Sequence, residues 1–229
     1  MTLGVRDVSR LFEVSEKTVY RWVAQDKLPV YKVSGQYRFN RSELLDWATA
    51  HRIQVSPQIL VESDGEQVEV PGLADALRSG GIFYRVGGKD KSAVLSEVVG
   101  VMPLPDEVDR DFLYEVLLAR ESLGSTAIGS GVAIPHARNP IVMHIPKPAV
   151  TLCFLEEPVE YGALDGRPVD TLFTIVSPTV KAHISLLSKL AFGLQDPNFS
   201  QVIKEQGSRE AIFEQAQTLD EHLALTAGQ

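Results

Sequence analysis

Residues 54–71, QVSPQILVESDGEQVEVP, interrupt the chain's apolar periodicity, and this break constrains the fold more than any other feature. Glu62, Asp64, Glu66 and Glu69 crowd the stretch, Pro57 and Pro71 punctuate it, and no helical or strand repeat runs through it. A segment of this kind buries too little apolar surface to offset the entropy of ordering it. It reads as a linker, with room for one short strand, between a module over residues 1–53 and a larger one over 72–217. Residues 218–229 read as a C-terminal tail. A length of 229 residues is comfortable for two domains and long for one.

Charge divides the chain at the same place. Residues 1–53 hold nine Lys or Arg against six Asp or Glu, a balance of +3, and the remainder carries −11. Such asymmetry marks a basic module joined to an acidic one. The whole-chain charge of −8 argues against nucleic-acid binding by the chain as a whole. No apolar run approaches the roughly 18 residues that a membrane span needs. The start, MTLGVRDVSR, places charges where a signal peptide needs an apolar core. The one cysteine, Cys153, has no partner for an internal disulfide, so a cytoplasmic setting without membrane association is expected. Its place within TLCFL points to burial.

In the first module, Val8, Leu11 and Phe12 form a short apolar stripe at helical spacing, and Val19, Trp22 and Val23 repeat it. Ser15 is suited to cap the second helix, and the pair reads as helix-turn-helix. Leu28–Val33 and Gln36–Phe39 are strand-like around Ser34-Gly35, a hairpin turn. Asn40 and Glu43 resemble a capping box that opens a helix carrying Leu44, Leu45, Trp47 and Ala48. With the apolar face turned inward, Lys17, Thr18, Tyr20 and Arg21 face outward, and the hairpin adds Lys32, Gln36 and Arg38 around Tyr37. The stretches VRDVSRLFEVSEKTVYRWVAQDKLPVYKV and YRFNRSELLDW resemble the winged helix-turn-helix of phage excisionases and mercury-resistance-type regulators. That resemblance implies binding of double-stranded DNA, usually by dimers on paired half-sites. A small helical domain that contacts proteins is the other reading. A charge of only +3 predicts few phosphate contacts from one copy, so a homodimer is expected.

The larger module reads as helices alternating with buried strands, hence a sheet covered on both faces. Asp90 caps a helix through Met102, stopped by Pro103, and Phe112 to Leu117 mark another. Val150–Leu155 and Thr171–Val176 look like buried strands, and Ile184, Leu187, Leu190 and Ala191 stripe an amphipathic helix. His136 follows Pro135 just after the glycine-rich run GSTAIGSG. Gly129 and Gly131 permit close backbone approach, so nearby N–H groups could face an anion. Ser125 and Thr126 bring hydroxyls, while Arg120 and Arg138 bring guanidinium groups suited to phosphate oxygens. An oriented neutral imidazole is a competent nucleophile for phosphoryl transfer. These residues alone also fit a structural loop histidine.

LLARESLGSTAIGSGVAIPHAR looks like the active-site segment of fructose/mannitol-type enzyme IIA domains of the phosphotransferase system, nearest their nitrogen-regulatory branch. SPTVKAHISLLSKLAFGL resembles that family's second histidine-bearing helix. The resemblance runs from about Leu73 to Ala216. It implies an α+β fold: a three-layer α/β/α domain with a mixed sheet beside the small winged helix-turn-helix head. It also implies that His136 accepts a phosphoryl group from the histidine-containing phosphocarrier protein, through Nε2. His183 would approach His136 and hold phosphoryl oxygens, and Arg120 would neutralise their charge. Glu121, Ser125 and Thr126 fall in the same signature.

Ala127 stands where the family commonly has glycine, at some expected loss of backbone freedom. No cofactor is implied, since histidine-to-histidine transfer involves no nucleotide, and no His or Cys pair has zinc-ligand spacing. His144 reads as a surface or strand residue, and His51 and His222 carry no assigned chemistry. The expected function is a regulatory phosphotransferase component with a DNA-binding head, with regulated target proteins among its expected partners. The alternative is a DNA-binding regulator whose IIA domain only senses or binds proteins, without onward transfer.

Overall fold

The computed structural model describes residues 2–25, 27–33, 36–40, 43–44, 47–48, 51, 53, 71–137, 145 and 147–227. In the head, β1 (Thr2–Leu3) leads into α1 (Val5–Leu11) and α2 (Glu16–Ala24). Ser15 caps α2 as expected, its hydroxyl accepting the Thr18 N–H at 3.2 Å. The strands β2 (Tyr31–Val33) and β3 (Gln36–Asn40) follow, and β1 adds to β3 to give the antiparallel order β1-β3-β2. Val8, Leu11, Phe12, Val19, Phe39, Leu44 and Ala48 are buried, the stripes read from the sequence. Trp47 packs against Trp22 and Phe12 at ring distances of 5.3 and 5.7 Å. Ser34, Gly35 and Leu45 lie outside the described residues, as does 54–70 of the expected linker.

The larger part begins with α3 (Leu73–Gly80), β4 (Ile82–Val86), α4 (Lys91–Val101) and α5 (Arg110–Ser122). It continues through β5 (Ala127–Gly129), β6 (Val132–Ala133), β7 (Ala149–Val159) and β8 (Val169–Val176). The helices α6 (Val180–Gly193), α7 (Pro197–Lys204) and α8 (Arg209–Ala227) close it. The five-stranded sheet runs β4-β7-β8-β6-β5, mixing parallel β4/β7 and β6/β8 pairs with antiparallel β7/β8 and β5/β6 pairs. Alternation along the strands serves both faces. Leu152, Phe154, Phe173 and Ile175 pack with α3, α6, α7 and α8, whereas Cys153, Leu155, Leu172 and Val176 pack with α4 and α5. The result is the three-layer arrangement around a mixed sheet. Cys153 is fully buried at its centre, and burial pushes its thiol up to about 12.

The stretch read as a tail from 218 is helical through Ala227 and packs on the domain. Leu219 and Leu223 are buried, and the Asp220 carboxylate accepts the Leu73 and Ala74 N–H groups at 2.8 and 2.9 Å. The N-cap of α3 is Gly72, which has no side chain to cap with, so α8 supplies the missing acceptor.

Candidate functional site

The strand β6 lies parallel to β8, and the chain beyond it stays in register. Ile175 donates its N–H to the Pro135 carbonyl at 3.0 Å, and His136 bridges Ile175. His136 is therefore fixed on a strand extension at one edge of β8. Where β8 ends, α6 begins, with Thr179 accepting the Ala182 N–H at 3.1 Å, and its first turn carries His183. The two rings meet with centroids 5.3 Å apart at 43°. Adjacent parallel strands bring together histidines far apart in sequence.

His136 Nδ1 lies 2.7 Å from the Ile134 carbonyl. A carbonyl oxygen only accepts, so Nδ1 carries a proton, and in the neutral ring Nε2 keeps the lone pair. The imidazole, Arg120, Ser125 and Thr126 line one cavity of about 610 Å³. Arg120 sits in the last turn of α5 and donates from Nη1 to the Gly124 carbonyl at 2.9 Å. Glu121 stands behind the cavity wall. Its carboxylate accepts from the Thr126 N–H at 3.0 and 3.1 Å, from the Thr126 hydroxyl at 2.6 Å and from Lys91 Nζ at 3.0 Å. Ser125 donates to the Tyr161 carbonyl at 2.6 Å and accepts from the Ala127 N–H at 3.2 Å. The hydroxyls of Ser125 and Thr126 thus also hold the loop in shape.

Three expectations change. Gly129 and Gly131 do not line the His136 cavity; with φ of 84° and 81° they form, with Ser130, the turn of the β5–β6 hairpin, facing a different hollow. Ala127 lies in β5, paired with Ala133 and outside the left-handed region, so glycine's freedom is not needed there. Finally, His136, the acceptor that the resemblance implies, is only 3 % exposed. Arg138 and His144 lie outside the described residues. His222 is exposed on α8, 6.4 Å from the Phe192 ring.

Sequence reading missed Lys91 and Tyr161. Lys91 Nζ sits 4.7 Å above the Tyr161 ring as well as on Glu121, and burial pushes the Tyr161 phenol up. It also missed the far wall of the cavity, which comes from the head: Tyr31, Glu43, Trp47 and His51, beside Pro29 and Val30. No local pattern marks these residues, because they belong to the site only through tertiary placement.

On the head itself, Lys17, Tyr20, Arg21 and Gln36 are exposed, while Thr18 and Arg38 are half-buried. Thr18 is tied to the Ser15 hydroxyl at 3.0 Å, and Arg38 donates to the Gln36 side chain at 2.7 Å. The Tyr20 and Tyr37 rings pack at 6.1 Å, so α2 and the β2–β3 hairpin share one face. The Lys32 side chain lies outside the described residues.

Residues 76–217 match the family described as phosphoenolpyruvate-dependent sugar phosphotransferase system, EIIA 2. The chain belongs to this family. Ahead of the IIA domain, residues 2–52 match the helix-turn-helix domain. A nitrogen regulatory protein of Pseudomonas aeruginosa is 34% identical over 146 residues, covering 62% of this chain and 92% of that one. The fructose-specific EIIABC component of Bacillus subtilis is 32% identical over 136 residues, which are 58% of this chain but 21% of that longer protein. Among solved structures, the nitrogen regulatory protein IIA-Ntr of Neisseria meningitidis superposes with a TM-score of 0.52 at 27% identity. It covers 65% of this chain and 97% of its own. In sequence and in fold the IIA domain carries the resemblance, and the helix-turn-helix head is additional to it.

Proposed function

We propose that the protein is a regulatory phosphotransferase component. His136 accepts a phosphoryl group from the histidine-containing phosphocarrier protein, and the helix-turn-helix head (residues 1–53) binds double-stranded DNA as part of a homodimer. Residues 54–71 join it to the IIA domain, which the packing of α8 extends through Ala227. The setting is the cytoplasm, where the phosphocarrier and DNA are both at hand.

The observation that carries the reading is the 2.7 Å contact between His136 Nδ1 and the Ile134 carbonyl. The Nδ1–H is committed to that carbonyl, so the Nε2 lone pair is the nucleophile, beside Arg120 and His183. In the step, Nε2 forms a bond to phosphorus while the phosphorus–nitrogen bond of the carrier's phosphohistidine breaks, returning the electron pair to the carrier ring. The His136 ring gains positive character as the new bond forms, and the Ile134 carbonyl steadies it through Nδ1–H. Charge on the three equatorial oxygens meets Arg120 and His183, so catalysis is positioning plus charge stabilisation. Glu121 acts one layer back, tying Thr126 and Lys91 to the cavity wall.

The test is incubation with phosphoenolpyruvate, enzyme I and the phosphocarrier protein, followed by intact-mass measurement. One phosphoryl group is expected on the protein and none on His136→Ala. An undiminished gain in that variant moves the acceptor elsewhere.

A further inference from the structure

A nucleophile for another protein's phosphohistidine must be reachable, yet His136 is 3 % exposed. Part of the wall enclosing it is not IIA domain at all. Tyr31, Glu43, Trp47 and His51 of the head line the same cavity as His136 and Arg120. The apolar cluster of the head is continuous with that of the α3, α6, α7 and α8 layer. Glu43 is the acid in this wall. The Tyr31 hydroxyl donates to its Oε1 at 2.8 Å, orienting the carboxylate within a cavity that also holds the Arg120 guanidinium. A carboxylate offers a guanidinium two oxygens and a negative charge, the same chemistry at lower charge as a phosphoryl group.

Resting on the phosphocarrier reading above, we propose that the helix-turn-helix head is an intramolecular cap on the phosphoryl-acceptor site. Glu43 takes the place beside Arg120 that phosphoryl oxygens take after transfer. The cap and the phosphocarrier protein compete for one surface, so the acceptor is filled only when the head lifts. Once His136 carries its phosphoryl group, about −1.5 to −2 charges stand in the cavity, and Glu43 meets a like charge in the space it shares with Arg120. The head is then held off. The face that docks is Pro29, Val30 and Tyr31 together with Glu43, Trp47 and His51, whereas Lys17, Tyr20 and Arg21 of α2 point to solvent. Docking therefore leaves the proposed DNA face uncovered and controls how firmly the head is held relative to the IIA domain.

Both tryptophans of the chain, Trp22 and Trp47, are in the head, and Trp47 lines the cavity with its Nε1 buried. In a full-length Trp22→Phe background, Trp47 emission reports docking directly. Glu43→Gln should red-shift that emission and raise acrylamide quenching without any phosphorylation. It should also speed phosphoryl uptake from the carrier by about fivefold or more, the scale of an ordinary coupling between two sites. Phosphorylating the Glu43-bearing protein should bring its emission to the same position.

Tyr31→Phe, which removes only the orienting hydroxyl, should fall between the two and carries the test if Glu43→Gln unfolds the head. Normal uptake with emission and rate unchanged by both substitutions overturns the cap and leaves the phosphocarrier reading standing. No uptake by any variant sinks the phosphocarrier reading instead, and Trp47 emission alone then decides whether Glu43 holds the head down.

Discussion

Glu121 shows how much of this site depends on one side chain that does not line the cavity. Its side chain is 2% exposed, and its carboxylate gathers the Thr126 backbone N–H, the Thr126 hydroxyl and the partly buried Lys91 ammonium. All of these are donors, so the position demands an acceptor with full negative charge. Glutamine would turn an NH₂ group toward donors and leave Lys91 without its counter-charge. Breaking a buried pair from one side costs about 3 kcal/mol. Glu121→Gln should therefore lower the melting temperature and slow phosphoryl uptake together, because Thr126 forms the cavity wall beside His136. Both are read on one sample, by thermal melt and by time-resolved mass measurement. A variant that melts normally and is phosphorylated at the parent rate would remove Glu121 from the machinery. His136 differs in kind: its Nδ1 partner is a backbone carbonyl, which no side-chain substitution deletes, so the orientation of the nucleophile is built into the strand itself.

At the scale of elements, α3 packs directly on the backbone of β7. A Cβ on Gly80, the last residue of α3, would lie 2.3 Å from the Val150 carbonyl oxygen and 2.7 Å from the Thr151 nitrogen. Thr151 also donates its hydroxyl to the Gly80 carbonyl at 2.9 Å. Backbone cannot yield as a side-chain tip can, so Gly80→Ala should destabilise the IIA domain by about 3 kcal/mol. Gly100, near the end of α4, has nothing within 4 Å of its would-be Cβ, and Gly100→Ala should stabilise by about 0.5–1 kcal/mol through helix propensity. Denaturant midpoints of the two variants give the comparison, and equal effects would discard the close-approach argument.

The same scale explains what the sequence reveals. Long apolar runs expose β7 and β8, and polar residues just ahead of a stripe expose the starts of α2 and α4, where Ser15 and Asp90 cap as read. The strands β1, β5 and β6 are two or three residues long and carry no period to detect. The helix α8 hides because its cap role is tertiary, with Asp220 serving Leu73 across the fold. The motif around His136 is legible locally. Its neighbour His183 is brought close only by strand order, and the head residues of the cavity only by docking.

At the scale of the whole molecule, the question is how a chain of net charge −8 would hold DNA as proposed. The IIA domain repels a polyanion, so the proposed DNA binding rests on a few exposed cations on one face of the head. Lys17 and Arg21 stand one helical turn apart on α2, beside the hairpin joined to it through Tyr20 and Tyr37. Two such heads in a dimer neutralise few phosphates, and each contact releases close to one counterion. For the full chain on genomic fragments, log affinity against log salt should therefore fall with a slope of only about −4. Arg21→Ala should make that slope shallower by about 1 for each head, weakening binding across all fragments if it meets phosphate. If instead Arg21 reads a base edge, the slope should change little and the loss should concentrate on the preferred fragment. An affinity indifferent to salt, or an Arg21→Ala variant that binds like the parent on every fragment, would make the head a protein-contact module and leave its helix-turn-helix match without a nucleic-acid role.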